Sequence, residues 1–344
     1  MFETSIVILN WNGIDFLKKF IPILIKHSSL PDVEIVVADN ASTDDSVNFL
    51  KTNFPSIRLI LHDKNYGFAE GYNKALSVLS SKYFIILNSD VEVTEGWLSP
   101  LIDTLRVNDD VAAVMPKIRN YYRRDYFEYA GAAGGFIDKY GYPFCRGRVI
   151  NYVEKDSGQY DSVREVFWAT GACMAIKSYL FFNAGGFDPM FFAHMEEIDL
   201  CWRLQLMGYK LMCVPDSIVY HVGGGALPKE NPYKTYLNFR NNLFLLYKNL
   251  HPARINKIFL IRIFLDLFIG FTYLFKGQFK FFSAIFRAYI DFFKHLPELK
   301  KYRNNNLKLI SRQINLNNTF PHSILFKYLL DRVKFTSFFV NSSL

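Results

Sequence analysis

Residues 34–45, EIVVADNASTDD, pass within one position from an apolar, β-branched run to a turn crowded with carboxylates and amides. The run reads as a buried strand and the turn as the loop beyond its carboxyl end. The same transition recurs on both sides of it. Ser5–Leu9 (SIVIL) leads into Asn10-Trp11-Asn12-Gly13, Ile57–Leu61 precedes NYGFAEGYN at 65–73, and Tyr83–Leu87 leads into Asn88-Ser89-Asp90-Val91-Glu92. Between the runs lie Asp15–His27 and Ser46–Asn53, with helical spacing of apolar residues. This alternation predicts an α/β fold of βαβ units around a mostly parallel sheet flanked by helices. In such open sheets ligands bind outside the carboxyl ends of the strands. One loop of this composition is ordinary turn chemistry. Four in series, on one sheet edge, point to a ligand site.

The rest of the chain is consistent with a large folded unit carrying an appendage. It has 344 residues, 50% of them apolar and 21% charged, enough for one or two domains at ~150 residues each. Its four cysteines, Cys145, Cys173, Cys201 and Cys213, form no CxxC pair. Reduced thiols are expected, and neither a disulfide scaffold nor a zinc knuckle. Met1–Asn10 has no basic segment ahead of its short apolar run, so no secretory leader is expected. The net charge of +8 divides unevenly: residues 1–233 carry −6 and residues 234–344 carry +14, together with 18 of the 34 phenylalanines. Basic charge interleaved with large apolar rings suits a surface that meets anionic lipid. It does not suit a polar nucleic-acid groove.

The segments SIVILNWNG, VVADNASTDDS, NYGFAEGYN, LNSDVEV and GGFDPMFFAHMEEIDLCWRL occur in the order found in family 2 glycosyltransferases. Over residues 4–250 the chain resembles that family, particularly its bacterial rhamnosyltransferase-like branch. The resemblance implies a GT-A fold, Rossmann-like, and inverting transfer of a sugar from a nucleotide-diphosphate sugar.

Site residues follow from the residue chemistry and the resemblance together. Asp39 is placed to accept hydrogen bonds from a base or ribose, and the family's matching Asp contacts the nucleotide base. Asn10 and Asn12 sit at the end of the first strand, Asn65 and Asn73 offer amide contacts, and Gly67 and Gly71 frame Phe68 where backbone could approach a phosphate. Asp90 matches the last acid of the family's DxD-like motif, with Asn88 where many members carry Asp. Oxygen ligands of this kind suit Mg²⁺ or Mn²⁺. Glu92 lies on the same strand face as Asp90. The family also places a metal-binding His at the position of His221, which ends the apolar run SIVYH and precedes Gly223–Gly225. Gly171 and Ala172, after Thr170, match the region that borders the donor sugar.

The catalytic candidates are Glu196, Glu197 and Asp199, in the first turn of a helix expected to end near Gly208. Acids there are favoured by the helix dipole, and Asp199 with Arg203 forms a plausible i,i+4 pair. Three carboxylates this close would also raise one another's pKa, as a general base needs. The resemblance puts the base at the middle acid, Glu197, with Glu196 left as the alternative. The Phe-rich loop Phe187–His194 either covers the site or belongs to the core.

From Tyr233 to Arg303 the pattern is helical. Ile258–Phe275 approaches spanning length, but Arg262 and Asp266 interrupt it. A helical extension lying on the membrane fits better than a span. The expected organisation is a transferase domain over 1–233, a membrane-associating helical extension over 234–303 and a tail over 304–344. The expected partners are the nucleotide-sugar donor, a glycan or lipid-linked acceptor and an anionic membrane, on the cytoplasmic face of the inner membrane. The rivals are a processive polysaccharide synthase, for which no QxxRW motif or set of spanning helices is evident, and a non-catalytic nucleotide-sugar-binding scaffold.

Overall fold

A computed structural model describes residues 2–223, 231–309 and 319–331. Gly224, Gly225 and positions 310–318 and 332–344 of the tail lie outside the described residues.

The first half builds the sheet expected from the alternating runs. β1 (Thr4–Asn10), α1 (Ile14–Ser28), β2 (Val33–Asp39), α2 (Ser46–Asn53), β3 (Arg58–Leu61), α3 (Gly67–Ser77) and β4 (Tyr83–Asn88) follow one another as βα units. β5 (Val91–Val93), α4 (Leu98–Val107) and β6 (Val111–Asn120) come next. β1 pairs in parallel with β2 on one side and β4 on the other, and β2 pairs in parallel with β3. The register places Asn10 opposite Asp39 and Leu9 opposite Asn88. All these polar residues therefore emerge on one edge.

Helix α1 buries Leu17, Phe20, Ile21 and Leu24, the i, i+3, i+4, i+7 stripe of a helix packed on a sheet. Val7, Val36, Val37, Ile85 and Ile86 are fully buried beneath the helices. A strand covered on both faces loses the apolar/polar alternation, which is why these runs are continuously apolar.

A second, smaller sheet interrupts the first. It contains β7 (Gly135–Asp138), β8 (Pro143–Cys145), β9 (Arg148–Val149), β10 (Tyr152–Val153) and β14 (Thr319–Phe320). The chain then returns through β11 (Arg164–Glu165) and β12 (Cys173–Lys177), the latter inserted antiparallel between β4 and β6. α5 (Ser178–Asn183) and a 3-10 turn at Pro189–Phe191 lead to α6 (Glu196–Leu206), and β13 (Lys210–His221) runs parallel to β6. The main sheet has the order β11-β13-β6-β12-β4-β1-β2-β3, with β5 paired to β13. α6 ends at Leu206, two residues before Gly208, whose φ of 93° closes it.

Three long helices complete the described chain before β14: α7 (Pro232–Asn249), α8 (Pro252–Phe275) and α9 (Phe279–Lys308). α10 (Ile324–Asp331) follows. α8 is long and apolar enough to cross a membrane, with a mean hydropathy of 2.0.

Candidate active site

The strand-end loops are bound to one another by side-chain amides. Asn10, fully buried, donates from Nδ2 to Asp39 Oδ2 at 2.9 Å and to Ser42 Oγ at 3.2 Å. Asp39 Oδ1 accepts from the Ser42 amide at 2.8 Å. Asn10 Oδ1 is buried with no hydrogen-bond partner. Asn12, at φ 51°, accepts from the Thr43 amide at 2.7 Å and so clamps the first loop to the second. Asp44 accepts from Ser46 N, the first residue of α2, at 3.1 Å, and the N-cap Asp45 makes no side-chain capping bond. Asp39 lies six residues before that cap and takes no part in it.

The third loop is held through Asn40, which sequence reasoning left out. Its Nδ2 donates to Asn65 Oδ1 at 2.9 Å and to the Gly67 carbonyl at 3.0 Å, while its Oδ1 accepts from Tyr66 N. Gly67 opens α3 at φ +71°, and a Cβ there would lie 2.8 Å from Phe192 Cδ2. Gly71 allows α3 to approach β1, since its Cβ would meet Leu9 at 2.9 Å. Phe68 packs on Tyr72 and Phe187, and a Cβ on Gly171 would stand 3.0 Å from its ring. Asn73 is turned elsewhere: both ends of its amide are used on the backbone of Phe187, at 2.7 and 2.9 Å. Asn88 N donates to the Ala172 carbonyl at 3.0 Å, joining two further candidates.

Asp90 and His221, 131 positions apart, meet where β5 pairs with β13. His221 Nε2 stands 3.1 Å from Asp90 Oδ1, and Nδ1 stands 3.2 Å from Glu128 Oε2 on the other side of the ring. Burial alone would make His221 more acidic, but the Glu128 and Asp90 carboxylates outweigh it and push its pKa up to about 10. Burial works to raise Asp90 and Glu128, and the imidazolium reverses this, so both fall below their ordinary values. A carboxylate and an imidazole backed by a second carboxylate form a donor set that fits Mg²⁺ or Mn²⁺, with positions left for substrate oxygens. Among the described residues no group of three or more His, Cys, Asp or Glu side chains is placed to hold a metal by itself. Glu128 lies in the irregular segment after β6 and carries no motif. Gly223, at φ +72°, is where a Cβ would come 2.7 Å from Glu128 Oε1. Glu92 pairs instead with Arg124 at 2.8 Å.

At the start of α6 the three acids divide into two kinds. Glu196 and Glu197 each carry a buried Oε2 with no partner. Burial, and for Glu196 the neighbouring Glu197 as well, raises Glu196 well above the carboxylate range. Burial also raises Glu197, to about 7 against opposing backbone amides. Asp199, fully buried, behaves oppositely. Burial would raise it, yet Lys248 and Arg203 hold it below its ordinary value. It accepts from Arg203 Nε at 2.9 Å, as the i,i+4 spacing suggested, and from Asn249 Nδ2 at 2.8 Å. Of the expected mutual raising of three carboxylates, only that of Glu196 by Glu197 is found, with burial as the larger cause.

The loop ahead of α6 is wound into three left-handed residues, Phe192, His194 and Met195, at φ 62°, 70° and 75°. Non-glycine residues hold such angles only where the surroundings over-determine them. Here α7 does so: Asn241 Nδ2 reaches the carbonyls of Phe191, Ala193 and His194 at 2.7–2.9 Å, and Arg240 reaches Met190 and Phe191. Phe191 is core, whereas Phe192 is 46% exposed. The two readings of this loop therefore apply to different rings.

The family model described as Glycosyl transferase family 2 matches residues 5–162. An N-acetylglucosaminyl-diphospho-decaprenol L-rhamnosyltransferase of Mycobacterium tuberculosis is 27% identical over 223 residues, covering 60% of this chain and 71% of the relative. A low-salt glycan biosynthesis hexosyltransferase, Agl10, of Haloferax volcanii is 24% identical over 262 residues, covering 74% and 79%. Among solved structures, a mannosyltransferase from Pyrobaculum calidifontis in complex with GDP-Man and Mn²⁺ superposes with a TM-score of 0.51 at 17% identity, over 96% of this chain and 88% of that one.

Proposed function

The chain belongs to glycosyl transferase family 2 and is a glycosyltransferase, and from that premise we propose that it carries out inverting transfer from a nucleotide-diphosphate sugar to a lipid-linked glycan acceptor. The observation that carries the mechanism is Glu197, half-buried, with a buried and unpartnered Oε2 and a pKa raised to about 7. A carboxylate so poised takes a proton efficiently near neutral pH. Glu197 accepts the proton of an acceptor hydroxyl as that oxygen bonds to the anomeric carbon, and the bond from that carbon to the diphosphate oxygen breaks. Glu196 beside it is raised by burial and by the Glu197 carboxylate.

The donor lies across the strand ends. Asp39, Asn10 and Asn12 take the nucleoside, Asn65, Gly67, Phe68 and Gly71 the α3 end, and Asn88, Gly171 and Ala172 the sugar side. Asp90 and His221 hold the divalent cation, Mg²⁺ or Mn²⁺. When bound, the cation neutralises charge on the departing nucleoside diphosphate. Asp199 acts by position, fixing the first turn of α6. Asn73 contributes by holding the loop at Phe187.

The relative named for a decaprenol-linked acceptor, and the basic C-terminal helices, support work at a membrane, peripherally and on its cytoplasmic face, in cell-surface polysaccharide or O-antigen synthesis. The test pairs thermal-shift titration of UDP-, GDP- and dTDP-sugars with Mn²⁺ or Mg²⁺ against transfer assays. Glu197→Gln should abolish transfer while the donor-induced shift survives. Unchanged turnover would move the role to Glu196. A donor-induced shift in a wild-type chain that neither transfers nor hydrolyses any donor would favour a non-catalytic scaffold.

A further inference from the structure

Helix α8 is amphipathic the wrong way round for a helix in water. Its buried stripe is Ile258, Arg262, Asp266 and Gly270, at spacings of four, and this stripe holds both charges of the apolar stretch. Its outer stripe is Leu260, Phe264, Leu267, Phe268, Phe271 and Phe275, each at least 41% exposed. Both inward charges are paired, and only Arg262 Nε is left without a hydrogen-bond partner. Asp266 accepts from Tyr142 Oη and Tyr289 Oη at 2.6 Å each, and pairs with Arg262 at 3.1 Å. Arg262 lies over the Tyr142 ring at 3.9 Å, donates to the Tyr140 carbonyl at 3.3 Å and also bonds Asn242 of α7.

These contacts decide how the apolar side can be used. Tyr140 and Tyr142 belong to the turn between β7 and β8, so the middle of α8 is fastened at Arg262 and Asp266 to that part of the fold. A helix held this way cannot cross a bilayer without dragging that fold into it. Its free face, by contrast, is continuous with α9. There Phe279, Phe286 and Phe293 are 58–66% exposed at steps of seven. One position on, at the same steps, run Lys280, Arg287, Lys294 and Lys301, all exposed. A line of rings beside a line of cations matches acyl chains beneath anionic headgroups. Lys294 also meets Asp291 at 3.4 Å, and Arg287 lies 5.3 Å from the Tyr236 ring centre.

We propose that α8 and α9 form an in-plane plate that docks on an anionic bilayer, the outer stripes entering one leaflet, the Lys280-Arg287-Lys294 line at the phosphates and the Arg262–Asp266 pair kept on the protein side. This deepens, and rests on, the reading of the chain as a peripheral membrane enzyme.

The test uses the full chain and flotation with two kinds of vesicle, equimolar phosphatidylcholine and phosphatidylglycerol or phosphatidylcholine alone. Wild type should float with the anionic vesicles and be stripped by alkaline carbonate. Phe264→Glu with Phe268→Glu should stay in the soluble fraction. Lys280→Gln with Arg287→Gln and Lys294→Gln should bind the anionic vesicles about a hundredfold more weakly, three cations at about fivefold each, and bind phosphatidylcholine as wild type does. A nucleotide-sugar thermal shift equal to wild type shows that each variant is folded; Phe286→Glu replaces any that is not. Retention in carbonate would overturn the proposal in favour of a span. Flotation unchanged in the charged-face and apolar-face variants would also overturn it, as would a wild-type dimer that ignores vesicles and is split by Phe264→Glu. Loss of the donor shift in wild type with flotation intact would instead remove the enzymatic reading and leave the docking standing.

Discussion

Lys248 Nζ, on α7, lies 2.9 Å from Asp199 Oδ1, on α6, with both side chains out of solvent. The same ammonium bonds Asp188, and Asn249 beside it bonds Asp199 while accepting from Asn306 of α9 at 2.8 Å. The first turn of α6, which presents Glu196 and Glu197, is thus anchored by residues of the C-terminal helices. One lysine serves two buried carboxylates.

Removing one partner of a buried ion pair leaves an uncompensated charge. Lys248→Met should therefore destabilise the protein by about 3–5 kcal/mol, read as a lower urea midpoint. In protein that remains folded, turnover should fall more than donor affinity, because the α6 end moves while the strand-end loops do not.

The carboxyl of Glu197 predicts two pH dependences of opposite sense. Transfer needs its ionised form, so kcat should rise with pH through about 7. Stability should go the other way. The folded-state value of about 7 is above the ordinary glutamate value of 4.5, so the contribution is present below pH 4.5 and lost as pH rises through about 7. Glu197→Gln should flatten that part of the stability curve, measured by chemical denaturation across the range.

His221 must give up a proton before its nitrogen can ligate. With a pKa of about 10 it is charged at neutral pH, so Mn²⁺ binding should release a proton and tighten as pH rises. Calorimetry in two buffers of different ionisation enthalpy measures that proton. Without a cation, His221 stabilises fully below its ordinary value of 6.5 and loses this as pH rises through about 10. Asp90 and Glu128, whose values are lowered, stabilise above their ordinary values of 3.8 and 4.5 and lose this as pH falls. The trio should therefore support the fold best between pH 4.5 and 6.5.

Gly67→Ala should place a Cβ at φ +71° and 2.8 Å from Phe192 Cδ2. The backbone term alone costs about 1–2 kcal/mol, and the displaced Phe192 loop should weaken donor binding. Thermal unfolding with and without donor separates the two effects.

Much of the donor edge was legible because it is local. A strand buried on both faces must be continuously apolar, and the turn after it must be polar, so β1, β2 and β4 and their loops could be read in order, while the half-exposed edge strand β3 was legible from its apolar residues and the polar turn beyond it. The residues that complete the site were not legible. Glu128 has no periodicity or motif around it and reaches His221 across 93 positions, and Asn40 looked like one more turn residue. Lys248 and Asn241 lie on a helix whose pattern says only that it packs.

Sequence by itself determined the alternation of strands and helices, the clustering of polar strand ends and the division into an acidic front and a basic, aromatic back, since each depends on neighbours in the chain. Only the tertiary structure decided that Asp199 is held below its ordinary pKa while Glu196 and Glu197 are raised, because that depends on burial and on Lys248 brought from α7. It also decided that Arg262 and Asp266, which read as interruptions of an apolar helix, face the protein and leave the phenylalanines outside. Direction around a helix is set by what packs against it, and that partner lies far away in the sequence.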